Sequence, residues 1–357
     1  MPDRALLVLG PSAGGIRRHV AVLRDGLRDL GWQVAVAGPA GVMDGLGGVD
    51  HEVPVSASPV QVARAARALR ALGRDVDVVH AHGLKAGLCA VAGGVRPRLM
   101  TIHNVVLDET AGRGAAALRL LEQRLPARMD RTIAVSAEIA ARFEASPGHE
   151  RIVVIPPAGP LPVPARDATT VRRDLGVGDA PLVTTVARLN PQKDLPTLLA
   201  AARRVLDVRP EVRFVVVGGG PAEAELRAEH ARLGLGDALQ LLGERPSAAD
   251  ELAAADVFAL SSIWEGSPLS VAEALLLGRP VAVTAVGAVP EVVQDGVTGR
   301  LVEPRSPEAL AEAILDLLAD PVRARRLADA GHAVAVERFA PDVLVRAVEQ
   351  QYREVMK

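Results

Sequence analysis

The densest run of groups able to do chemistry lies between residues 257 and 302. Glu265-Gly266 leads into Ser267-Pro268-Leu269, and an apolar stretch through Glu273 closes at Leu277-Gly278. This punctuation predicts a helix, with Ser267 capping the first N–H groups, Pro268 at the first helical position and Gly278 at the left-handed C′ site. A helix that starts just after a strand, here Val257–Leu260, presents unbonded N–H groups and partial positive charge. Both suit a diphosphate held at Ser267, Pro268 and Leu269. The spacing of Glu265 and Glu273 argues against the acid and nucleophile of a retaining glycosidase unless the loop between them folds back. Those carboxylates lie about 5 Å apart, whereas eight residues of helix rise about 12 Å. Separate stations suit acceptance of hydrogen bonds from hydroxyls along an elongated ligand. The plainer alternative for Glu273 is an exposed helix glutamate.

A second group sits in Val186-Ala187-Arg188-Leu189-Asn190-Pro191-Gln192-Lys193, which leaves the strand Leu182–Ala187 and enters the helix Leu195–Arg209. Arg188 and Lys193 at a strand's C-terminal edge can neutralise phosphates. A departing diphosphate gains negative charge, which fixed cations stabilise. Taken alone, the segment also fits a solvated loop.

These groups need elements to hold them, and the chain supplies a near-continuous alternation of short apolar runs and helical stretches. Ala5–Leu9, Val34–Ala37, Val76–His80, Leu99–His103, Thr132–Val135 and Ile152–Ile155 read as strands covered on both faces, with helices such as His19–Leu30, Val60–Leu72 and Ala115–Leu125 between them. Pro156, Pro157, Pro160, Pro162 and Pro164 then form a semi-rigid linker. A second series follows in Leu182–Ala187, Phe214–Val217, Leu239–Leu242, Val257–Leu260, Val281–Thr284 and Leu301–Val302. The pattern is two doubly wound α/β domains, as expected for 357 residues.

A formal net charge of −2 argues against a nucleic-acid binder. Residues 1–165 hold 19 Lys/Arg against 15 Asp/Glu, and the remainder 22 against 28, so the N-terminal half is better suited to an anionic partner. Cys89 is the one cysteine, which leaves packing as its expected role and no intrachain disulfide or cysteine-based zinc site. No segment reads as a signal peptide or membrane span, so the expected location is the cytoplasm, with attachment at the inner membrane face left open. The feature behind that opening is Arg64, Arg67, Arg70 and Arg74, which place four guanidinium groups along one side of a helix and could meet anionic lipid.

In order and spacing, the chain resembles the family 4 glycosyltransferases of the GT-B fold over nearly its whole length. The matching pieces are Gly14-Gly15 with His19, Thr101-Ile102-His103, Ile133-Ala134-Val135-Ser136, Ala187-Arg188-Leu189 with Lys193 and Val217-Gly218-Gly219-Gly220-Pro221. They continue with Glu265-Gly266-Ser267-Pro268, Glu273-Ala274, Gly278-Arg279-Pro280-Val281 and Pro290-Glu291 with Gly296 and Gly299. The resemblance implies two facing Rossmann-like domains with an interdomain cleft. Residues 1–164 would be the acceptor side, residues 165–339 would bind the nucleotide-sugar, and 340–357 would cross back to the first domain. It implies retaining transfer from a nucleotide-sugar donor to a hydroxyl acceptor in glycan, glycolipid or glycoconjugate synthesis, with no metal and no other cofactor. Arg188 and Lys193 would hold the diphosphate, Glu265 would meet the transferred sugar and Glu273 the ribose. Gly14, Gly15, Gly218 and Gly220 would line the donor, and His103 would sit near the reacting sugar. Three positions depart from the family pattern: Ala158 in Pro-Ala-Gly, Asp194 where glycine is common, and Ala288-Val289 before Pro290-Glu291.

Two rivals share the architecture. A nucleotide-sugar isomerase, such as a non-hydrolysing 2-epimerase, needs further acid–base residues that the sequence does not display, and a catalytically inactive partner subunit would not need the retained Arg, Lys and Glu set. Gly218-Gly219-Gly220 is not a full dinucleotide fingerprint. His80 and His82 alternate on a strand and could share a metal, but no third ligand is evident, so a structural or acceptor-side role is expected.

Overall fold

Residues 2–12, 14–105 and 115–357 are described in the computed structural model, apart from the side chains of Ala115 and Ala117. They form two units, one of Met1–Pro160 with Phe339–Lys357 and one of Leu161–Arg338. The break falls inside the proline-rich stretch, where residues 155–164 have no regular secondary structure.

The first unit runs β1 (Arg4–Leu9), α1 (Gly15–Asp29), β2 (Gln33–Gly38), β3 (His51–Glu52), α2 (Pro59–Leu72), β4 (Val78–His82), α3 (Leu84–Gly93), β5 (Arg98–Ile102), α4 (Ala115–Arg124), β6 (Arg131–Ala134), α5 (Ala137–Ala141) and β7 (Ile152–Val154). Its sheet is parallel throughout, in the order β3-β2-β1-β4-β5-β6-β7. Successive residues of β1 face opposite sides. Ala5, Leu7 and Leu9 join one core with residues of α1, and Leu6 and Val8 join a second core with residues of α2 and α3. Burial on both faces is why this strand is continuously apolar. Cys89 lies in that second core.

The second unit runs α6 (Ala168–Asp174), β8 (Leu182–Val186), α7 (Leu195–Val208), β9 (Arg213–Val217), α8 (Glu223–Arg232), β10 (Leu239–Leu241), α9 (Ala249–Ala254), β11 (Val257–Leu260), α10 (Leu269–Leu276), β12 (Val281–Thr284), β13 (Arg300–Val302), α11 (Pro307–Ala319) and α12 (Pro321–Phe339). Its parallel sheet has the order β10-β9-β8-β11-β12-β13. The last helix, α13 (Pro341–Val355), belongs to the first unit. There Leu344, Val345, Val348 and Tyr352 complete the core around α1.

Two expectations about elements need correction. β4 spans Val78–His82 instead of Val76–His80, because Asp77 is held at its mouth, its N–H on the Arg4 carbonyl and its carboxylate on the Arg4 N–H. Pairing then carries the strand on to Leu9↔His82, so both histidines are inside the sheet. The helix expected to start at Pro268 starts at Leu269, since Pro268 has a non-helical ψ of 62° and is itself the N-cap residue. Ser267 is therefore one position too early, and its hydroxyl makes no capping bond. The other end is as expected. Gly278 is left-handed at φ 64°, its N–H bonds the Leu275 carbonyl, and the Arg279 N–H bonds that of Ala274, a Schellman closure.

Arg64, Arg67, Arg70 and Arg74 are all exposed. The apolar side of α2, Ala65 and Leu69, is buried in the second core with Ala86 and Ala90 of α3. No helix among the described residues is long and apolar enough to cross a membrane.

Candidate functional site

In a doubly wound sheet, ligands bind beyond the carboxyl ends of the strands where the strand order reverses. In the second unit that point lies between β8 and β11, and the two loops that leave these strands are laced together. Ser261 Oγ donates to the carbonyls of Lys193 and Asp194, both at 2.9 Å. Gln192 Nε2 donates to the Trp264 carbonyl at 2.9 Å, and the Ile263 N–H to that of Gln192. Thr284 Oγ1, from β12, donates to the Ser262 carbonyl at 2.7 Å.

Within this frame Lys193 and Glu265 meet. Lys193 Nζ lies 2.5 Å from Glu265 Oε1, and Ser262 Oγ donates to the same oxygen at 2.6 Å. Glu265 is 4% exposed. Two donors and low exposure hold its carboxylate in one orientation, which a hydroxyl-bearing ligand would meet preformed. Arg188 is exposed and forms no ion pair among the described residues. Glu273 is buried on α10, which removes the reading of an ordinary exposed helix glutamate. Ser267 Oγ is buried without a hydrogen-bond partner among the described residues, just ahead of Pro268 and half-buried Leu269 at the helix start.

The glycines have a structural reason of their own. A Cβ on Gly218 would lie 1.9 Å from the Ala187 carbonyl oxygen, and one on Gly220 would lie 2.3 Å from that of Leu189. Only glycine lets the loop after β9 run against the segment carrying Arg188. Gly287, at φ 52°, presses against the Glu265 carbonyl in the same way, and the Ala288 N–H bonds that carbonyl at 2.8 Å. Asp194 adopts a left-handed φ of 44°, which explains why glycine suits this position, and its carboxylate accepts from Thr197 Oγ1.

In the first unit the strand order reverses between β1 and β4. Gly14, at φ 60°, precedes Gly15, which opens α1, and His19 follows one turn on. His80 and His82 lie on β4, with His103 just past β5. All four imidazoles are buried. His80 is held by Tyr352 Oη at Nδ1 and Thr101 Oγ1 at Nε2, both 2.7 Å away. His82 Nδ1 lies 3.2 Å from His103 Nε2. His19 packs edge-on to both, with ring centroids 5.5 Å from His82 and 4.9 Å from His103.

Burial holds these rings neutral. It lowers His19 to about 4, with a backbone interaction at Ala158 acting the other way. Burial, then the neighbouring His19, lowers His80 to about 3. His82 and His103 fall well below the usual imidazole range for the same first reason. No third ligand joins His80 and His82 among the described residues, but His82 belongs to a different group of three. One ring nitrogen each from His19, His82 and His103 lie within 4.8 Å of one another, and His80 is turned to Tyr352. The sequence showed the alternation on β4 but not that α1 and the end of β5 deliver imidazoles to the same place.

A profile of the family described as "Glycosyl transferases group 1" matches residues 167–334, and one of "Glycosyltransferase Family 4" matches 13–158. The chain is 33% identical to a D-inositol 3-phosphate glycosyltransferase of Xylanimonas cellulosilytica, over 89% of this chain and 81% of that protein. Among solved structures it resembles Anabaena HepE in complex with UDP and glucose, at 23% identity and a TM-score of 0.87, covering 99% of this chain and all of the other. It also resembles sucrose-phosphate synthase from Thermosynechococcus elongatus, at 24% identity and a TM-score of 0.84, covering 99% of each chain.

Proposed function

The chain belongs to the glycosyl transferases group 1 family, and from that premise we propose that it transfers a sugar, with retention and without a metal, from a nucleoside-diphosphate sugar to a hydroxyl acceptor. The observation that carries this reading is the Lys193–Glu265–Ser262 cluster at the strand-order reversal of the second unit, beside the start of α10. Arg188, Lys193 and the helix start supply positive charge for the diphosphate. Glu265 accepts from sugar hydroxyls, Glu273 from the ribose, and Ser267 Oγ gains a partner when an anion arrives. His103 is assigned to the reacting sugar through its match to the family's Thr-Ile-His segment. Acceptor oxygen and leaving phosphate share one face of the sugar. The bond to the acceptor forms as that to phosphate breaks, and the acceptor proton passes to the departing oxygen.

The solved neighbours with UDP, and with UDP and glucose, make a uridine donor the first to test. Thermal shift of the purified protein with UDP-, GDP- and ADP-sugars should raise the melting temperature for one base class, because a ligand of the native state stabilises it. The same donor should then be hydrolysed slowly without acceptor, and hydrolysis should survive exhaustive EDTA treatment. Absence of stabilisation and hydrolysis with every donor would overturn the transferase assignment. Loss of hydrolysis on chelation, restored by magnesium or manganese, would overturn its metal independence.

A further inference from the structure

The first unit contains a group that the transfer reaction, as proposed, does not use: the edge-on ring of His19 beside the His82–His103 pair. We propose that His19, His82 and His103 form a three-imidazole site for a borderline divalent transition metal, Zn²⁺ or its relatives Co²⁺ and Ni²⁺, and that its occupancy inhibits transfer. Metal binding itself does not depend on the proposed function; only the inhibition does, through His103.

The geometry is close to what such an ion needs. With Zn–N bonds of about 2.0–2.1 Å, two nitrogens of a tetrahedral site lie about 3.3 Å apart. His82 Nδ1 and His103 Nε2 are 3.2 Å apart, and the chosen nitrogens of all three rings lie within 4.8 Å of one another. One ring of the pair donates its N–H to the other. On metal binding that ring would shift its proton to its outer nitrogen, so that all three imidazoles stay neutral and each offers a lone pair to the ion.

His19 supplies the second argument. It is 2% exposed, yet neither ring nitrogen completes a hydrogen bond among the described residues; the Ala158 backbone lies near without satisfying it. An orphaned buried nitrogen calls for an unseen partner, such as an ion. The donor set selects the class of ion. Three imidazoles without a carboxylate suit zinc, nickel or copper and reject magnesium and calcium. Sheet register fixes His82, paired to Leu9 and to Thr101, while His19 sits on α1 and His103 directly follows β5. Three protein ligands leave a fourth position open. An ion there removes the His103 lone pair from the substrate.

The test uses the full-length protein stripped of metal with chelator. Calorimetry with Zn²⁺ should give one site, and Co²⁺ should give visible absorption bands of a low-coordinate nitrogen site. His19→Gln and His82→Gln should each weaken binding by about 10²-fold or more, while His149→Gln, exposed and outside the cluster, should leave it unchanged. X-ray absorption on the wild-type zinc complex should show nitrogen without sulfur around the ion. This reading needs no variant to fold. Zinc should inhibit donor hydrolysis at the concentration at which it binds, and EDTA should reverse it. Absence of stoichiometric binding, unchanged affinity in folded His19→Gln and His82→Gln, or a sulfur ligand would overturn the site. Binding without inhibition would overturn its consequence for transfer.

Discussion

Lys193 and Arg188 carry the same charge in different settings, and their replacements should separate stability from turnover. Lys193→Ala strands the buried Glu265 carboxylate with Ser262 as its remaining donor among the described residues, at a cost of about 3 kcal/mol. Arg188 is exposed, so Arg188→Ala should change stability by less than about 0.5 kcal/mol. Both should lower turnover by about 10²-fold or more, as expected when fixed charge at a developing anion is removed. Urea midpoints and single-turnover rates check the two halves; near-normal turnover in either folded variant contradicts the assignment. The carboxylates divide along another line. Glu265→Gln should impair transfer more than nucleotide binding, and Glu273→Ala should weaken nucleotide binding itself. Calorimetry with free nucleotide decides, and equal losses of affinity would refute the division.

At the scale of elements, backbone packing sets which loops can change. Gly218→Ala drives a Cβ into the Ala187 carbonyl, and neither partner is a side chain that can swing away. It should cost more than about 2 kcal/mol and disturb the Arg188 segment. Gly278→Ala meets open space and should cost about 1 kcal/mol, from its left-handed φ at the end of α10 alone. Comparable melting temperatures for the two variants would show that backbone approach is not the determinant. Helix α2 gives a different contrast. Exposed Arg64, Arg67 and Arg70, the last also bonded to the Gly93 carbonyl, and Arg74 just past its end can meet an anionic surface, but its apolar side is already packed in the core. Any association with anionic vesicles should therefore be charge-driven, lost as salt is raised, and abolished when all four arginines become Gln. Binding that persists at high salt would reveal an insertion this helix does not offer.

At the scale of the molecule, the buried histidines make the first unit acid-sensitive. An unfolded histidine titrates near 6.5, whereas folded His19 and His80 titrate at about 4 and about 3. Between those values the unfolded chain binds more protons. Stability is thus fully present above pH about 6.5 and falls by about 1.4 kcal/mol per pH unit per histidine as pH drops, until the folded values are reached. With four buried imidazoles in the first unit, acid unfolding should begin near pH 5, and backbone amide protons around Tyr352 should lose exchange protection before those of the second unit. Domain-resolved hydrogen exchange would measure this. A first unit that outlasts the second at pH 4.5 contradicts the buried neutral state.

Much of this protein was legible in its residue order because the signals were local. Apolar runs marked every described strand but the short, exposed β3 within a residue or two, Gly278 stopped its helix, and five prolines marked the break between units. The family followed from motifs whose order survives in a single chain. What the sequence could not state was proximity across strands. The pairing of Lys193 with Glu265 spans 72 residues and exists because β8 and β11 are neighbours at the reversal of strand order. Burial of Glu273 depends on what packs against α10, and the start of that helix on a Pro268 torsion that residue type alone left open. The imidazole cluster needed α1, β4 and the end of β5 brought to one place by parallel register. Side-chain period and turn chemistry act over a few residues, whereas a site is a coincidence of chain ends, and only the sheet order decides which ends meet.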